Sequence, residues 1–174
     1  NATQTITNLS NLNNAQKDAE KHLVNQSTTL EQVQQHLQTA QDLDHAMESL
    51  RQSIANQDQV KSESKYLNED PTVKANYDQA VQRAEDIINA TQNPELNKGT
   101  IEQATQAVQN AEQALHGVEK LNQDKTTTSK ELNNLTNLTD AQREKLKELI
   151  NHSDSRDDIK QELEQAKQLN NAME

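Results

Sequence analysis

Apolar residues recur at helical spacing along most of the chain. Val33, Leu37, Ala40, Leu43, Met47, Leu50 and Ile54 step by three or four, which sets them on one face of an α-helix. Val73, Tyr77, Ala80, Ala84, Ile87 and Thr91 make a second stripe, and Ile101, Ala104, Val108, Ala111, Leu115 and Val118 a third with the spacing of a heptad seam. No run alternates with period two, so no strand is predicted. Caps mark the helix starts. Thr139 with Gln142 and Asn13 with Gln16 read as capping boxes, and Thr28 with Glu31, Asp154 with Asp157 and Thr100 with Gln103 as further N-caps. Asp70-Pro71 places an acceptor before a residue of preset φ, while Asn93-Pro94 and Gly99 mark a loop. The pattern predicts helices near 14–26, 29–66, 71–91, 100–117, 118–135, 140–151 and 155–173.

An internal repeat organises these helices. LSNLNNAQ, Leu9 to Gln16, falls on LTNLTDAQ, Leu135 to Gln142, at a shift of 126 residues. The register then holds to the C-terminus, where Leu37, Ala40, Leu43, Ala46 and Met47 meet Leu163, Ala166, Leu169, Ala172 and Met173. One period and part of a second are therefore present, and the ends read as cuts in a longer array. Segments 1–44 and 118–174 are two copies of a short helical unit, with a longer unit, 45–117, between them. No Gly, Pro or cap interrupts the stripe from Leu30 to Val60, which predicts one helix of about 38 residues, ~57 Å long, shared by neighbouring units. The expected fold class is all-α: tandem three-helix bundles joined by long shared helices, forming an elongated rod.

Composition narrows the function. Hydrophobic residues are 30% of 174, and 20 Asn with 23 Gln make an amide-rich surface, which suits thin bundles better than one deep core. The net charge of −11 repels a phosphate backbone and argues against nucleic acid as a partner. No stretch is long and apolar enough to insert in a membrane. The absence of Cys removes disulfides, thiol catalysis and thiolate metal sites. With no initiator Met and no leader, targeting signals are expected to lie elsewhere in a longer protein.

Candidate chemistry is sparse. His22, His36, His45, His116 and His152 never fall at i, i+3 or i+4 from one another, so metal-ligand spacing is missing. Asp154, Asp157 and Asp158 lack the Gly and distal Glu of a calcium loop and read as the start of a helix. Two glycines leave little from which to build a phosphate-cradling loop or a nucleophile elbow. No catalytic, cofactor-binding or metal site is assigned, and no enzyme is expected. Tyr66 and Tyr77 are the residues most open to a binding role, but Tyr77 shares a stripe with Val73 and Ala80 and reads as core, as does Tyr66 where two helices meet. Lys125 and Thr128 occupy seam positions between Leu121 and Leu132 and mark a weak stretch of that helix.

The middle unit, with Ala46-Met-x-x-Leu-Arg-x-x-Ile54, Tyr66, Tyr77-Asp-x-Ala-Val81, Ala84 and Ala114-Leu-x-Gly117, resembles the FIVAR module of Gram-positive surface proteins. The short unit, LNNLTNLTDAQ with its two following helices, is similar to a GA module. On this resemblance 1–44 is a partial GA-like module, 45–117 a FIVAR-type module and 118–174 a GA-like module. Their alternation resembles the giant staphylococcal extracellular-matrix-binding proteins. That family implies a long, fibrous, cell-wall-associated adhesin on the bacterial surface that engages host fibronectin. GA modules elsewhere bind serum albumin, but the helix Asp140–Ile150 has no aromatic anchor, so albumin is not the expected partner. A monomer is expected, and no partner-contacting residue is assigned. Two functions stay open: a weak adhesive repeat multiplied along an array, and a structural stalk. A cytosolic coiled-coil scaffold is a distant third, because long strict heptads are missing.

Overall fold

The structure, a computed structural model, describes residues 1–174 and is all-α, with ten helices and no strand. They are α1 (Ala2–Thr7), α2 (Asn14–Asn25), α3 (Leu30–Ile54), α4 (Gln57–Ser62), α5 (Ser64–Leu67), α6 (Pro71–Asn89), α7 (Lys98–Gln113), α8 (Gly117–Asn133), α9 (Asp140–Asn151) and α10 (Arg156–Met173). Contacts divide the chain into two compact units. One gathers Asn1–Asp58 with Ala75–Ala114, and the other Gln59–Lys74 with Leu115–Glu174. The segment before Pro71 thus packs with the helices that follow Leu115, a division that cuts across the segments read from sequence.

The repeat is visible helix by helix. Shifted by 126, the bounds of α2 fall on those of α9, the first residue of α3 on that of α10, and the last of α1 on that of α8. The reason is local. Asn13 and Gln16 close a reciprocal capping box at α2, as Thr139 and Gln142 do at α9. The cores correspond as well: Ile6, Val24 and Ala40 are buried among α1, α2 and α3, and their counterparts Leu132, Ile150 and Ala166 among α8, α9 and α10. In each copy, Leu9 or Leu135 and Leu37 or Leu163 pack around that centre.

The first unit extends this packing, because α3 continues past its own triplet and lies along α7. Leu43, Ala46, Met47 and Leu50 of α3 and Ile101, Ala104 and Val108 of α7 are all buried, as are Tyr77, Val81 and Ala84 of α6.

Several starts and one long helix differ from the sequence reading. The expected helix over 29–66 stops at Ile54, so α3 has 25 residues and is about 37 Å long. Neither Gly nor Pro ends it. The Ala55 N–H bonds back to the Gln52 carbonyl at 3.3 Å, tightening the last turn, and the Ser53 hydroxyl donates to the Leu50 carbonyl at 2.6 Å. Asn56 and Gln57 then reach Glu112 and Glu85, holding the turn from α7 and α6. The helix nonetheless runs unbroken through residues 44–46, where the first two segments meet. The caps expected at Thr28 and Asp154 lie one residue later, at Thr29 and Ser155, and α7 is capped by Asn97 rather than Thr100. The short α1 was not predicted, since six residues carry too little periodicity to read.

Candidate functional site

The second unit holds a polar cluster built around Asn68, Glu69 and Asp70, between α5 and α6. The Glu69 side chain is fully covered. Its Oε2 accepts from the His116 backbone N–H at 2.6 Å, and its Oε1 from the Asp70 N–H at 2.7 Å and from the Lys120 ammonium. Burial pushes this carboxyl up, but the Lys120 bond and the two backbone donors outweigh it and hold it below its ordinary range. Asp70 is held low by Lys120 and Arg156; Lys120 is itself raised by Glu69 and then Asp70, and Arg156 by Asp124 and then Asp70. Asn68 donates to the Asp154 carbonyl at 3.0 Å and accepts from the Arg156 N–H at 2.9 Å. The Arg156 guanidinium fans out to the Asn68 carbonyl, Asp70 and Asp124 at 2.7–3.2 Å. Gly117 permits this closeness: a Cβ there would lie 2.4 Å from the Ser64 carbonyl oxygen.

This cluster is a clasp between helix starts, with every charge met by an opposite one. Its chemistry is positional. Asp154, Asp157 and Asp158 lie at the beginning of α10, where the Ser155 hydroxyl accepts from the Asp158 N–H. No group of three or more His, Asp or Glu side chains is placed to hold a metal ion. His45 and His116 are exposed beside Glu48 and Glu119, and His152 bonds the Glu148 carbonyl. Tyr77 is completely buried, whereas Tyr66 is half-buried with the Lys74 ammonium 5.6 Å from its ring centre. Lys125 bonds the Asn151 carbonyl at the end of α9, and Thr128 is buried in the α8 seam.

In the first unit an open, polar groove of about 400 Å³ runs between α3 and α7, lined by Asp42, His45, Ser49, Lys98, Glu102 and Gln106 among others. Of the large apolar side chains that reach the surface, Leu30 is the most open, at 74% exposed. No helix is long and apolar enough to cross a membrane.

Glu69, Lys120 and Arg156 escaped the sequence reading, which saw only a cap in Asp70-Pro71. One signal was present. Arg156 stands where the first copy has Leu30, a charge for an apolar residue at the same helix start.

Comparison with known proteins identifies these segments. The GA module profile matches residues 1–46 and 118–172, and the FIVAR domain profile matches 46–116. Extracellular matrix-binding protein EbhA of Staphylococcus aureus strain Newman is 47% identical over 173 residues, 99% of this chain and 5% of that protein. Extracellular matrix-binding protein ebh of strain USA300 is also 47% identical, with the chain spanning 2% of its length. The crystal structure of an EbhA domain from S. aureus superposes with a TM-score of 0.89 at 32% identity, covering 95% of this chain and 68% of that one. A structure described in work on Embp-mediated Staphylococcus epidermidis adherence to fibronectin matches with a TM-score of 0.64 at 36% identity, covering 66% of this chain and 91% of that one. The chain thus belongs to the GA and FIVAR repeat family represented by the staphylococcal extracellular matrix-binding proteins.

Proposed function

We propose that this chain is an adhesive repeat of a bacterial surface protein, associated with the cell wall, that binds a host matrix protein, fibronectin, weakly and gains strength by repetition. The observation that carries the reading is the pairing of 47% identity to matrix-binding proteins with likeness to a structure from work on adherence to fibronectin. The internal repeat supplies the multiplicity. The surface argues for weakness in a single copy: it is acidic and amide-rich, and the large apolar side chains it exposes include none of the aromatic anchors of a strong interface. No enzymatic role is part of this reading.

A structural spacer is the second reading, favoured by the same anchor-poor surface. Surface plasmon resonance on immobilised fibronectin type III modules, comparing this chain with a tandem dimer of it, separates the two. The adhesive reading expects a dissociation constant in the micromolar range or weaker, about −8 kcal/mol or less favourable, and a clear gain on dimerisation. Flat responses from both chains, beside a responding control binder, would establish the spacer. Nanomolar binding by one copy would overturn weak multivalency, and serum albumin on a parallel channel tests the other GA-type partner.

A further inference from the structure

We infer that the Asn68-Glu69-Asp70 turn is a capping device that the middle module supplies to the third, so that the starts of α8 and α10 depend on it to stay folded. An α-helix leaves its first four N–H groups without partners, and side chains close to the start usually satisfy them. The starts of α2 and α9 do this alone, each with both halves of a capping box. That of α8 does not. Its N-cap residue, His116, makes no side-chain capping bond, and its own N–H is taken by Glu69, 47 residues earlier. In a capping box the residue three positions into the helix performs that reach-back. At α8 a residue 47 positions earlier, on the turn before α6, performs it.

The two copies of one helix start make the contrast within a single chain. At α3, Thr29 accepts from the Gln32 N–H, and the Gln32 side chain accepts from the Thr28 N–H, all within five residues. At α10, Ser155 keeps the forward half, but Gln32 is replaced by Asp158 and Leu30 by Arg156. The Arg156 N–H then bonds Asn68, and its guanidinium holds the Asn68 carbonyl and Asp70. The first copy closes its helix start with its own Gln32, bonded to the Thr28 N–H, whereas the second brings Asn68 to the N–H of Arg156, the counterpart of Leu30. Gly117 admits α5 close enough for this, its missing Cβ leaving room for the Ser64 and Lys65 carbonyls.

The test uses the full chain, hydrogen exchange read by mass spectrometry, and the variants E69A and N68A. Peptides over 116–124 and 156–162 should exchange roughly tenfold faster, while those over 30–50 and 101–108 keep their rates. Adding H116S to E69A gives α8 a cap of its own and should restore protection over 116–124 only. Unchanged exchange at both helix starts, acceleration spread evenly over all four regions, or no rescue by H116S would overturn the inference. So would loss of helicity throughout in both variants, since a local cap cannot hold up the first unit.

Discussion

Glu20 and Leu146 occupy the same position in two copies of one helix, and both are turned toward the interior. Leu146 packs against the core formed by Leu132, Ile150 and their neighbours. Glu20 is only 1% exposed, and its Oε2 has no hydrogen-bond partner. Burial accordingly raises its carboxyl above the ordinary range. A slot that takes an isobutyl group in one copy takes an acid in the other.

The first prediction follows from that mismatch. E20L should stabilise the first unit at pH 7 by about 1–3 kcal/mol, the range for relieving an unsatisfied buried polar group. E20Q should recover less, because the amide still needs partners. Urea denaturation of the three chains, followed by circular dichroism, measures the order. Destabilisation by E20L would mean that Glu20 is satisfied in the folded protein.

Acid should move the two units in opposite directions. The folded Glu20 carboxyl lies above its unfolded value of 4.5, so its burden is absent below that pH and grows as pH rises through it. Glu69 and Asp70 lie below their unfolded values, so the stability they contribute is present at neutral pH and lost as pH falls through their folded values. Lowering the pH from 7 toward about 3 should therefore relieve the α2 region while loosening the starts of α8 and α10. Hydrogen exchange corrected for intrinsic rates resolves the two regions. A parallel loss of protection in both would refute the assignment of opposite signs.

How far the sequence discloses this molecule depends on the range of the interactions. Helix bounds set by neighbours within three residues were legible: the capping boxes at Asn13 and Thr139 stand where the pattern puts them. Features set from afar were not. The stop of α3 after Ile54 has no local breaker and is held by Glu85 and Glu112, 28 and 56 residues on from Gln57 and Asn56. Thr28 and Asp154 passed as caps because a one-residue shift leaves the apolar stripe intact. Glu69 reads as one more acidic residue in a polar linker until the fold brings His116 and Lys120 to it.

Gly117 tests the close approach of α5 to α8. G117A should lower the stability of the second unit by about 1–3 kcal/mol through overpacking, although Ala is the better helix former by about 1 kcal/mol. The new Cβ would meet two backbone oxygens, at 2.4 and 2.6 Å, which no side-chain rotation relieves. G99A is the control, because its Cβ meets only the Asn97 side chain, at 3.1 Å. Equal thermal stability of G117A and the parent chain would show that α5 yields freely.

Asn13 separates capping from bridging. Its Oδ1 accepts from the Gln16 N–H at 2.8 Å to start α2, and its Nδ2 donates to the Ile87 and Ile88 carbonyls, both at 3.1 Å, near the end of α6. Those carbonyls are among the last four of their helix and have no partner within it. One amide thus caps the beginning of one helix and the end of another. Its counterpart Thr139 has a hydroxyl that caps α9 alone. N13T should keep the cap and lose the bridge, costing about 0.5–1.5 kcal/mol. N13A should lose both, costing about 1 kcal/mol more. T139N in the second copy should change stability little, since Asn and Thr both cap well. Urea midpoints for the three variants, with exchange rates over 84–89 as the local readout, decide the point. If N13T matched the parent chain in both, the contact with α6 would contribute nothing, and Asn13 would be a cap like Thr139.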